Sequence, residues 1–95
     1  MQEYEFIWDP VKADKNLLKH RVSFDEARTV FKDPFARVKF DSEHSLDEER
    51  FIILGLSSYL KVLIVCYCCR SSDTIRIISA RKATREEQKD YVRLK

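Results

Sequence analysis

Four arginines, one glutamate and one histidine hold most of the chemistry this sequence offers: Arg50, Arg70, Arg76, Arg81, Glu48 and His44. Guanidinium groups bind phosphate bidentately and stay charged at any physiological pH, so arginines converging on one spot make an anion pocket. The plainer reading makes them sheet-edge charges, paired with the acidic loop "DSEHSLDEE" that precedes Arg50. Arg76 favours the pocket. It interrupts the apolar run "TIRIISA", where a solubilising charge would sit more naturally at the strand end.

Three apolar, β-branched runs, "RFIILGLS", "KVLIVCYCCR" and "TIRIISAR", must carry these arginines, and the short polar turns between them predict an antiparallel meander. A hairpin centred near Tyr59 sets Arg50 opposite a residue between Cys68 and Arg70. A second, centred near Ser72, sets Arg76 opposite Cys68. Alternate residues share a face, so Arg50, Cys68, Arg70 and Arg76 are expected on one face at one end of the sheet, unless a bulge intervenes.

The other reactive side chains have bland readings. Cys66, Cys68 and Cys69 form no CxxC pair, and Cys66 and Cys68 lie about 6.6 Å apart along a strand, so they read as small apolar residues rather than a metal site or disulfide. His44 can exchange a proton near neutral pH, especially beside Glu48, although a single loop histidine is more often a surface residue. His20 suits a helix C-terminus. Glu86 and Glu87 suit a helix N-terminus, and Tyr67 and Tyr91 suit packing more than base stacking. No metal and no cofactor is expected.

Stepping along the chain, "YEFIWD" is a first strand, and Asp9-Pro10 caps a helix running to about His20. Val11, Leu17 and Leu18 are its expected core face, with Lys12, Asp14, Lys15, Asn16 and Lys19 solvated. "SFDE" is a capping box, with Glu26 expected to reach back to the Ser23 amide, and opens a second helix that Asp33-Pro34 ends. "FARVKF" alternates as a half-exposed strand. "TREE" opens a C-terminal helix, expected to dock loosely through Tyr91, Val92 and Leu94. The fold class is therefore α+β, in the order β-α-α-β-β-β-β-α, with two helices covering one face of the sheet and the opposite face free to bind.

Ninety-five residues make a single domain, 1–95, with no room for a linker. No window holds enough consecutive apolar residues to cross a membrane, and the N-terminus lacks the basic-then-apolar order of a signal peptide, so a cytoplasmic location is expected. Net charge is +2, but residues 41–50 carry −4 and residues 51–95 carry +5. Such asymmetry suits an anionic ligand such as nucleic acid. On composition alone, a non-enzymatic binding module using the same basic face fits equally well.

Four blocks bear a resemblance to a known family: "WDPVKADKNLLKHRVSFDEA", "FKDP", "EHSLDEERFIILGLS" and "IRIISARKATREEQKDY". They resemble BrnT, the toxin of a type II toxin–antitoxin pair with a RelE-like ribonuclease fold. The resemblance implies a sequence-tolerant, metal-independent endoribonuclease that arrests translation by positioning a ribose 2′-hydroxyl against the adjacent phosphate. It also implies a ribbon-helix-helix BrnA antitoxin, in a heterotetramer that meets DNA only through the antitoxin. Carried to matching positions, it places Arg50, Arg76 and Arg81 in the phosphate site with Lys82 and Arg70 beside it, and makes His44 and Glu48 the acid/base candidates. Arg85 stays outside that set. Two departures stand out: Arg21 where the family has glycine, and "SSYLK" where the family has a glycine-containing turn.

Overall fold

A computed structural model describes residues 3–93 as a mixed α+β fold. The elements are β1 (Glu5–Ile7), α1 (Pro10–His20), α2 (Phe24–Arg28), a 3-10 turn (Thr29–Lys32), β2 (Arg37–Phe40), a 3-10 turn (Ser42–His44), β3 (Phe51–Leu56), β4 (Val62–Cys69), β5 (Thr74–Lys82) and α3 (Arg85–Arg93). The sheet runs β1-β5-β4-β3-β2, with β2 to β5 antiparallel and β1 pairing parallel along the first residues of β5.

Odd-numbered residues of β3 and β4 point under α1 and α2. There Ile53, Leu63, Val65 and Tyr67 meet Val22, Phe24, Ala27 and Val30. Leu63, Ile77 and Phe24 are among the largest fully buried side chains, each stabilising the fold by roughly 1.5–3 kcal/mol. Tyr67 packs between Phe31 (4.9 Å between centroids) and Phe51 (5.7 Å), which confirms it as a packing residue.

The hairpin registers match their expected centres, with Phe51 opposite Tyr67 and Arg76 opposite Cys68. Beyond Tyr67 the β4–β5 register slips, so Tyr67 faces Ile77 but Cys66 faces Ser79. Ile78 is the extra residue, and the core-facing set on β5 changes from Ile75 and Ile77 to Ala80.

Several expectations are corrected. Val11, Leu17 and Leu18 do not form the core face of α1; they are 60%, 47% and 81% exposed, and Asn16 is buried instead. Its amide takes the place of a missing strand beside β5: Nδ2 donates to Ala80 O and Val22 O (2.9 Å each), and Ala80 N donates to Oδ1 (3.0 Å). Hydrogen bonding thus overrides the apolar count along α1.

Glu26 does not complete a capping box. Ser23 Oγ accepts from Glu26 N (3.0 Å), but the buried Glu26 carboxylate accepts from Ser57 Oγ (2.8 Å), tying α2 to the β3–β4 turn. The second helix is shorter than its pattern suggests, passing into the 3-10 turn after Arg28.

Nor is α3 loosely docked. Tyr91 is 3% exposed, and its hydroxyl donates to Asp33 Oδ2 (2.6 Å), which also accepts from Leu56 N (2.7 Å). Val92 is exposed, and Leu94 lies outside the described residues. The helix closes one end of the sheet face that α1 and α2 leave bare. Arg21 (φ 61°) and Leu60 (φ 62°), the latter inside the "SSYLK" turn, have left-handed backbone without being glycine.

Candidate active site

One polar cluster of the bare sheet face lies at the end where β3 begins and β4 finishes. The acidic loop is closed by main-chain and hydroxyl bonds: Asp41 N to Arg50 O (2.8 Å), Ser45 Oγ to Asp41 O (2.6 Å) and Arg50 N to Ser45 Oγ (2.9 Å). These bonds fix where Arg50 leaves the loop and Glu48 hangs over the sheet.

Glu48 is the hub. Its Oε1 lies 3.6 Å from Arg50 Nη2 and 3.6 Å from Arg76 Nη1, and its Oε2 accepts a thiol hydrogen bond from Cys68 at 3.7 Å. Both arginine contacts are longer than a hydrogen bond, so attraction holds the carboxylate without saturating it. Among the described residues, Arg50 Nε is the buried side-chain polar atom left without a partner. A buried, unpaired donor beside an arginine pair favours binding an anion that can satisfy it.

Two small clefts flank this hub. One, of about 280 Å³, is lined by Glu48, Cys68, Cys69 and Arg70; the other, of about 330 Å³, by His44, Glu48 and Arg50. Glu48 therefore stands between Arg70 on one side and His44 on the other. The His44 ring is largely exposed and its Nδ1 meets Asp41 Oδ2 at 2.9 Å.

The Cys66 and Cys68 thiols are poor nucleophiles. Burial, then the nearby Asp41 carboxylate, pushes Cys66 up from its usual value, and burial followed by Glu48 pushes Cys68 up. All three cysteines are free. Cys68 instead serves Glu48 as a weak donor.

The structure thus brings together Arg50, Arg76 and Glu48, with Arg70 and His44 at the margins. It does not bring Arg81 or Lys82 there. Arg81 faces Ile64 across β4, four positions from Cys68, about 13 Å along the strand. Its guanidinium is locked to Glu87, Nη1 to Oε1 at 2.8 Å and Nη2 to Oε2 at 3.0 Å. Glu87 also completes the capping box with Thr84, accepting from Thr84 N at 2.8 Å while its own N–H reaches Thr84 Oγ1. The Arg81 bonds, reinforced by Thr84, hold the Glu87 carboxyl down to about 2. Lys82 is exposed and, opposite Leu63, belongs to the other face.

Sequence reasoning missed the second polar cluster on this face, where Arg37 and Lys39 of β2 approach Arg81, Glu87 and Asp90. The alternation of "FARVKF" held the signal, since it puts Arg37 and Lys39 on one face.

A family model for the ribonuclease toxin BrnT of type II toxin–antitoxin systems matches residues 8–87. The chain belongs to the BrnT family. Its fold is similar to the crystal structure of the Brucella abortus ribonuclease toxin BrnT, with a TM-score of 0.68 and 24% identity, over 86% of this chain and 99% of that one. No curated protein matches the sequence. Membership of a BrnT toxin family implies an antitoxin partner. No helix among the described residues is long and apolar enough to cross a membrane.

Proposed function

We propose that this chain is a metal-independent endoribonuclease that inhibits translation, with Glu48, Arg50 and Arg76 at its centre. The observation that carries the reading is the equal approach of Glu48 Oε1 to two guanidinium groups, 3.6 Å from each, on the bare face. A base and two phosphate binders within one small volume meet the needs of attack by a 2′-hydroxyl on its neighbouring phosphate.

In that reaction the 2′-hydroxyl gives its proton to Glu48 and its oxygen bonds to phosphorus. The bond from phosphorus to the 5′-oxygen breaks, leaving a 2′,3′-cyclic phosphate, and the departing oxygen takes a proton from an acid. Arg50 and Arg76 bear the charge that grows on the non-bridging oxygens, a role in which losing one donor costs roughly 10²–10³ in rate. His44 is the candidate acid, with Asp41 orienting its ring. Arg70 guides the substrate into the cleft beside Glu48. Arg81, on the bare face, acts on the strand beyond the scissile phosphate, whereas Lys82, on the opposite face, takes no part.

Family membership supports the remaining parts of the reading: a RelE-like fold, a cytoplasmic location and a BrnA antitoxin with a ribbon-helix-helix domain, in a heterotetramer that meets DNA only through the antitoxin. The bare face, with its arginines, suits coverage by acidic or apolar antitoxin residues. Induction in a bacterial host tests the reading. Growth stops when the chain is expressed alone and resumes with the neighbouring small gene; unimpaired growth on sole induction indicates a binding module instead.

A further inference from the structure

A cleft of about 430 Å³ opens on the bare face at the end away from Glu48. Its floor is aliphatic, made by Ile52, Leu54 and Ile64, and one wall comes from α3 through Glu87 and Asp90. We propose that this cleft is a nucleobase subsite that seats a guanine of the RNA strand whose phosphate lies between Arg50 and Arg76; the inference rests on the nuclease reading.

Three features select this ligand. The floor is apolar, as the face of a base requires, and it continues along β4 toward Cys68 over about 13 Å, a span that a short single strand bridges. Arg81 lines the cleft with its guanidinium fixed in plane by two bonds to Glu87, which makes it a preset plate for stacking on a base. Arg37 and Lys39 line the β2 side, where they can neutralise the strand's backbone.

Asp90 gives the base identity. A carboxylate can only accept hydrogen bonds, and guanine offers it two adjacent N–H donors, N1–H and the exocyclic amine, where adenine and cytosine offer an amine beside an acceptor nitrogen and uracil a single imide N–H. Asp90 Oδ1 holds Arg93 at 3.1 Å, but both side chains are largely exposed, 57% and 72%, so Arg93 yields at little cost. The cations along the face, Arg37, Lys39 and Arg81, favour a polyanion.

Titration of the purified chain with the 5′-monophosphates of guanosine, adenosine, cytidine and uridine, together with mapping of cleavage sites on a mixed-sequence RNA, tests the proposal. Guanosine monophosphate should bind at least about fivefold tighter than the others, and guanine should be enriched at a fixed offset from the cut. Asp90→Asn should level both preferences while keeping the wild-type melting curve. Equal binding of the four nucleotides, no binding of any, or a guanine preference that survives in Asp90→Asn overturns the subsite. Cleavage without base preference removes the subsite and leaves the nuclease standing; guanine-selective binding without cleavage does the reverse.

Discussion

Arg76 and Arg81 project from the same face of β5, although one is even and the other odd in a strand whose side chains alternate. The bulge at Ile78 reverses the alternation between them, so Arg76 faces Cys68 and Arg81 faces Ile64 on one surface. Shared face is not shared site. Arg76 stands against Glu48, and Arg81 against Glu87. Side by side, Arg76→Ala should lower RNA cleavage by about 100-fold without changing the melting temperature. Arg81→Ala should lower cleavage less and weaken the docking of α3, a contrast that paired kinetics and thermal melts will register.

The Arg81–Glu87 pair makes part of the fold's stability acid-labile. Glu87 titrates at about 2 in the folded chain against a usual 4.5, so the folded state favours the carboxylate. The contribution is therefore complete above about pH 4.5 and is lost as pH falls toward 2. Urea unfolding across that window should show a shallower acid decline for Glu87→Gln than for the parent chain.

Tyr91 has the opposite sign. Burial, then the hydrogen bond to Asp33, raises its phenol to about 12 from the usual 10, so the folded state favours the neutral form. That stability is complete below about pH 10 and is lost as pH rises toward 12. Tyr91→Phe removes a bond to a carboxylate and should cost roughly 1.5–3 kcal/mol at neutral pH while flattening the alkaline loss.

Asn16 satisfies three main-chain groups that water cannot reach. Asn16→Ala leaves them unpaired, each costing about 1–3 kcal/mol, so denaturant unfolding should show a loss of at least about 3 kcal/mol. Leu18→Ala, on the exposed side of α1, should change stability by less than about 0.5 kcal/mol.

Leu60 adopts a left-handed backbone with its side chain 79% exposed. Leu60→Gly removes that strain, put at about 1–2 kcal/mol for a residue with a Cβ, and loses little burial. Part of the gain returns to the more flexible unfolded chain, so the variant should match or exceed the parent by up to about 1 kcal/mol in chemical denaturation.

What could be read from the chain follows the range of the forces involved. The face shared by Arg50, Cys68 and Arg76 was legible because strand alternation and short turns are local. The exposed side of α1 was not, because Val11, Leu17 and Leu18 mimic a core stripe while Asn16 answers to Ala80, far along the chain. That Arg81 shares the face of Arg76 depended on a bulge that no glycine or proline announces, and the anchoring of α3 depended on Asp33, the residue just past the 3-10 turn. Arg21 and Leu60 show the complement: left-handed backbone positions that this chain fills with residues other than glycine.

The central claim is that Glu48, set between Arg50 and Arg76, takes the proton in RNA cleavage, and the direct measurement is single-turnover cleavage of a labelled RNA in EDTA by the parent chain and Glu48→Gln. The account predicts cleavage by the parent and a fall of about 10²–10⁴ in Glu48→Gln with an unaltered melting curve. Cleavage by Glu48→Gln at the parent's rate would contradict it.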